Sequence, residues 1–132
     1  MAAAQAIEYK KPNYDGVQVA SDFWKYFYES WVKNPIILQD VIKPYSKINF
    51  NGKEFCGEDF IKLLIELGSN GLEFADCKYQ MIDSGSRQIY IMVTGRCRIG
   101  DIISNFSESF MISYSGEKKE RKWVLVNSIL ML

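Results

Sequence analysis

The stretch Phe50-Asn51-Gly52-Lys53-Glu54-Phe55-Cys56-Gly57 decides the fold. Asn-Gly accepts positive φ at both central positions of a type I′ turn, whose twist suits a hairpin between strands. Lys47-Ile48-Asn49-Phe50 before it reads as a short strand ending in an aromatic residue. Gly57-Glu58-Asp59 after it opens a helix, in which Phe60, Leu63, Leu64 and Leu67 recur at helical spacing and Gly68 and Gly71 bracket the exit.

Working upstream, Ser21 or Asp22 is placed to cap a first helix, and Phe23, Phe27 and Trp31 give it an aromatic face at i, i+4 spacing. Asn34-Pro35 ends that helix and starts another, since proline is tolerated at a first helical position. Ile36, Ile37, Leu38, Val41 and Ile42 continue the apolar pattern, and Pro44 closes it. Residues 1–16, ending in the turn-like Pro12-Asn13-Tyr14-Asp15-Gly16, read as a tail, which leaves one domain over residues 17–132.

Downstream of Leu72 the period changes from helical to two. Glu73–Met81, Gln88–Arg98, Ile102–Tyr114 and Lys122–Leu130 read as long strands. Asp83-Ser84-Gly85-Ser86, Gly100-Asp101 and Ser115-Gly116-Glu117-Lys118-Lys119 between them have hairpin chemistry. Three helices followed by an antiparallel meander imply an α+β domain, its sheet curving around the helical layer. Ile89, Ile91 and Val93 alternate with Tyr90 and Met92, so both faces of that sheet call for a covering surface.

Composition narrows the function. The 132 residues are 48% hydrophobic, enough for one core without staples. Sixteen Lys and Arg balance sixteen Asp and Glu, without the basic excess that drives binding to nucleic acid or anionic membranes. No apolar run nears the roughly 20 residues that span a bilayer, and no secretory leader is evident, so a soluble protein is expected. Cys56, Cys77 and Cys97 form an odd set with no metal-ligand spacing, so no disulfide framework and no zinc site are expected. Histidine is absent, which removes the commonest general base and metal ligand together.

Five segments taken in order resemble the nuclear transport factor 2 family. Phe23-Trp24-Lys25-Tyr26-Phe27-Tyr28 is similar to its aromatic first helix, and the Phe50–Gly57 stretch to its W-E-G-x-x-F-x-G turn. Tyr90-Ile91-Met92-Val93-Thr94-Gly95 is similar to I-x-M-V-x-G, Phe106 and Phe110 to F-x-x-x-F, and Trp123-Val124-Leu125-Val126-Asn127-Ser128 to W-V-x-x-N-D. The resemblance spans about Phe23 to Leu132 and implies a cone-like fold, three N-terminal helices packed on a strongly curved antiparallel sheet. It further implies a homodimer formed through the sheet, found in cytoplasm and nucleus and at the nuclear pore. The partners it implies are the Ran GTPase in its GDP form and phenylalanine-glycine nucleoporins, with no cofactor, no nucleic acid and no membrane. The alternative within the family is the small subunit of a heterodimeric mRNA export receptor, which has the same Asn-Gly in its first turn.

Carried over residue by residue, Phe50, Asn51 and Asp101 would form the mouth of the cone, where Ran binds. Met92, Phe106, Glu108, Phe110, Asn127 and Met131 would line the cavity or the dimer face. The chain departs from the family at Asn51, where the import factor has glutamate, at Met131, where an arginine falls, and after the third strand, where only Asp101 of two acids remains. Phe106, Glu108 and Phe110 share one face by the period of two. Toward the core, that face would raise the proton affinity of Glu108; the expectation is that it meets the dimer seam or water. An enzyme of the ketosteroid isomerase type would need a carboxylate base and a donor such as Tyr79 or Tyr90 converging on it. The expectation is a protein that is not an enzyme.

Overall fold

The computed structural model describes residues 14–115 and 122–132. Helix α1, Gly16–Lys33, starts five residues before the expected cap. The Asp15 carboxylate accepts from the backbone N–H groups of Val17 and Gln18, at 3.1 and 3.3 Å, and so satisfies donors that the first turn leaves orphaned. Gly16 lets the Asp83 carboxylate approach closely, since a Cβ there would press on that side chain. Tyr14 packs edge-on against Trp123 and donates its hydroxyl hydrogen to Asp83. The expected tail thus lies largely outside the described residues, and its last three residues are tied to the domain.

The expected second helix is a single 3-10 segment, Pro35–Asp40, in which only Leu38 is buried. Ile36 and Ile37 stay exposed, so the apolar run does not make a continuous face. The chain then enters strand β1, Ile42–Phe50, which runs through Pro44. Proline is accommodated because the ladder to β6, Lys122–Met131, shifts register between Ile42 and Lys47. At that break the Ser46 hydroxyl accepts from the Lys43 N–H and donates to the Leu125 carbonyl.

The turn at Asn51-Gly52 has φ of +48° and +93°, as a type I′ turn requires, and leads into β2, Lys53–Cys56. Helix α2, Glu58–Gly68, buries Phe60, Leu63 and Leu64 and is tied to α1 by the Trp31 indole N–H, which donates to the Leu64 carbonyl at 2.7 Å. Then come β3, Leu72–Asp83, β4, Gln88–Ile99, β5, Ile102–Ser115, and β6. The hairpin turn expected at residues 115–119 falls almost wholly outside the described residues.

The six strands form one sheet in the order β2-β1-β6-β5-β4-β3. Every neighbouring pair is antiparallel except β1 and β6, which are parallel, so the sheet is mixed where an antiparallel one was expected. Register shifts at Ala75/Lys78 in β3 and Met111/Ile112 on β5 mark the irregularities that bend such strands around a helical layer. The helices lie on the inner face. Phe23, Phe27, Tyr28 and Trp31 of α1 interlock there with Phe74, Phe106 and Phe110, the tightest of these pairs being Tyr28–Phe74, with ring centroids 4.5 Å apart.

Candidate functional site

The two faces of the sheet hold different chemistry. On the inner face, Phe106, Glu108 and Phe110 are all buried, and Glu108 has no exposed surface. The expected seam or solvent position for Glu108 is therefore corrected, because α1 lies over this face. Register sets Glu108 between Val93 of β4 and Leu130 of β6. One carboxyl oxygen accepts from the Tyr28 hydroxyl of α1 at 2.8 Å, the other from the Ser128 hydroxyl of β6 at 2.6 Å. Removal from water pushes the carboxyl up to about 7, while the bonds from Ser128 and Tyr28 oppose that rise by favouring the charged form. The same burial and the nearby carboxyl hold the Tyr28 phenol well above its ordinary value.

Neither tyrosine suggested as a donor partner for Glu108 takes that role. Tyr90 is exposed on the outer face, and Tyr79 packs against Trp24. Tyr28 and Ser128 were missed. A signal for Tyr28 was present: Trp24, Tyr28 and Trp31 make a second aromatic stripe at i, i+4, i+7, widening the face that α1 buries.

On the outer face, Met92, Asn127 and Met131 are exposed, apart from the three buried residues with which they were grouped. Cross-strand register puts Ile82 beside Tyr90, Tyr90 beside Met111, and Met111 beside Asn127. A second row runs from Gln80 through Met92 and Ser109 to Ile129. All of these side chains except Ile129 border an open groove of about 770 Å³. Ile82 is 68%, Met92 52% and Ile129 51% exposed, an apolar patch of the kind that marks an interaction surface.

The third group lies at one end of the sheet. Phe50 is half-buried against the core, so part of its ring is a plug. Asn51 is exposed; its side-chain oxygen accepts from the Leu132 N–H and its own N–H donates to the Leu130 carbonyl. Asp101 occupies the tip of the β4–β5 hairpin after Gly100, beside the exposed Ile102 and Ile103. Leu130 stands opposite both Phe50 and Glu108, and Glu108 lies six residues up β5 from Ile102, or roughly 20 Å of strand. Phe50 and Asn51 thus adjoin each other, and Asp101 overhangs the same end at a distance. A smaller apolar cleft of about 360 Å³ lies between α1 and β6, lined by Val19, Asp22, Phe23, Tyr26 and Trp123. Among the described residues, no three His, Cys, Asp or Glu side chains gather to hold a metal ion.

No protein-family model and no curated protein matches the chain. Solved structures do match it. Nuclear transport factor 2 from Cryptosporidium parvum is similar at a TM-score of 0.78 and 21% identity, covering 89% of this chain and 94% of its own. The chain has a nuclear transport factor 2-like fold. The Mtr2–Mex67 M domain complex of C. albicans is similar at 0.73 and 12% identity, covering 89% and 94%. A ketosteroid isomerase-like protein from Shewanella frigidimarina is similar at 0.69 and 14% identity, covering 85% and 94%. At these identities the likeness is one of fold, and the fold serves transport proteins and enzymes alike.

Proposed function

We propose that this chain is a non-enzymatic adaptor of nucleocytoplasmic transport that works as a homodimer, the outer sheet face of one copy covering that of the other. The observation that carries this reading is the exposed apolar groove around Tyr90, Met92 and Met111, on the face of the sheet that no helix among the described residues covers. An unpartnered sheet face of this kind favours a second sheet packed against it. In this reading the end bearing Phe50, Asn51 and Asp101 receives Ran in its GDP form. Phenylalanine-glycine repeats insert single rings into apolar clefts such as that between Phe23, Tyr26 and Trp123, each weakly, so that many contacts give avidity with fast release. The fold shared with a nuclear transport factor 2 supports the transport class. A role without catalysis is supported by Glu108, whose two oxygens are both engaged and which has no exposed surface from which to reach a substrate proton.

Pairing with a larger partner's related domain is the second reading. The Asn51-Gly52 turn and the likeness to the Mtr2–Mex67 complex favour it. Light scattering of the purified chain, then titration with Ran-GDP, separates the two. A stable homodimer that binds the GDP form and not the GTP form, and loses affinity on Asp101→Asn, is the expected result. A monomer indifferent to Ran and rescued by a larger partner would transfer the assignment to the heterodimer.

A further inference from the structure

Among the described residues, helix α1 is held to the sheet by packing almost everywhere. The polar exception there is the bridge in which Tyr28 of α1 and Ser128 of β6 converge on the two oxygens of Glu108 on β5. We propose that this Tyr28–Glu108–Ser128 bridge is a proton-responsive clamp, closed on α1 when the carboxyl is protonated and loosened when it ionises. The chemistry is that of an acid enclosed without a counter-ion. Protonated, Glu108 is neutral and can both donate to and accept from two hydroxyls, each of which does both as well. Ionised, it is a negative charge among Phe106, Phe110, Val93 and Leu130; the two hydroxyl bonds favour that charge but do not make up for the water removed from it, so lifting α1, which readmits water, becomes easier.

The groups that face the bridge add no compensating charge. From α1 comes Tyr28; from β6, Ser128 and Leu130; from β4, Val93; and Cys77 of β3 and Cys97 of β4 act on the Tyr28 phenol. Phenols and thiols ordinarily titrate above pH 8, and no charged side chain among the described residues contributes to the Glu108 titration. With no histidine in the chain, a carboxyl ionising near neutrality is the group that can make the fold respond to pH in the cellular range. The direction follows: raising the pH loosens α1, lowering it closes the clamp.

The test uses the full chain and two readouts. Carbon-13 detection of side-chain carboxyls should show one resonance titrating near pH 7 that Glu108→Gln removes. Tyr28→Phe and Ser128→Ala each delete a bond that favours the carboxylate, so each should move that midpoint upward. Hydrogen exchange of the α1 amides, corrected for base catalysis, should lose about tenfold in protection between pH 6 and 8 in the natural sequence and stay level in Glu108→Gln. A Glu108 resonance titrating in the ordinary carboxylate range would overturn the clamp. So would α1 protection that is independent of pH, or equally dependent in Glu108→Gln. Should Glu108→Gln fail to fold, Tyr28→Phe decides: the pH at which α1 protection falls should move upward together with the carboxyl midpoint, and protection that falls at an unchanged pH overturns the clamp.

Discussion

Enclosing Glu108 without a counter-charge leaves the folded chain holding a proton that the unfolded chain gives up. The folded carboxyl titrates at about 7 and the unfolded one near its ordinary 4.5, so between those values the native state binds the extra proton. Stability contributed by this residue is therefore lost as pH rises from about 4.5 to 7, by on the order of 3 kcal/mol in total. Urea unfolding at pH 5 and pH 8 should show Glu108→Gln gaining on the natural sequence at the higher pH by up to that amount. Little of this could be read in advance. The period of two places Glu108 on a face with Phe106 and Phe110, but which face is covered depends on Tyr28, eighty positions earlier. Trp31 is simpler: its indole N–H donates to the Leu64 carbonyl, and Trp31→Phe, which deletes that bond and leaves space where the indole stood, should cost about 1–3 kcal/mol by chemical denaturation.

At the scale of elements, the ends of α1 and β1 are fixed by single residues. Asp15→Ala removes the cap and should lower stability by about 1 kcal/mol, with the loss of helicity confined to the first turn. At the hairpin, Gly52 has φ of +93° and open space around its α-carbon, so Gly52→Ala meets no clash and suffers only from its backbone conformation. A loss of about 1 kcal/mol is expected, read as a lower denaturation midpoint with the slope unchanged. The four meander strands were legible to within a residue or two, because alternation over ten or more residues is hard to mimic. The start of α1 was not: Asp15 sits in a stretch whose turn chemistry masks its capping role. Nor was Pro44 legible as a strand residue, because proline signals an end unless the ladder breaks where it stands, and here the break depends on Ser46 reaching the Leu125 carbonyl.

For the molecule as a whole, the outer face predicts assembly. Met92, 52% exposed in the middle of the apolar row, should be covered in the homodimer proposed above. Met92→Lys sets an ammonium against its own copy across a two-fold seam, and should shift the chain to monomer in sedimentation while leaving its circular dichroism unchanged. A heterodimer would instead keep a monomeric natural chain that Met92→Lys does not alter. The shared fold could be anticipated from the order of five short motifs. The parallel contact of β1 with β6 could not, since nothing in either strand states which neighbour it takes.

That contact also orders events on the ribosome. β1 has two neighbours in the finished sheet, β2 beside it in sequence and β6 about eighty residues later, with Ile48 opposite Ser128. At synthesis rates of about 5–20 residues per second, one edge of β1 stays open for roughly 4 to 16 seconds after its own translation. During that interval the nascent chain offers unpaired backbone donors and acceptors and a half-built aromatic core, which makes it a substrate for holding chaperones and exposes it to mispairing with its neighbours on a polysome.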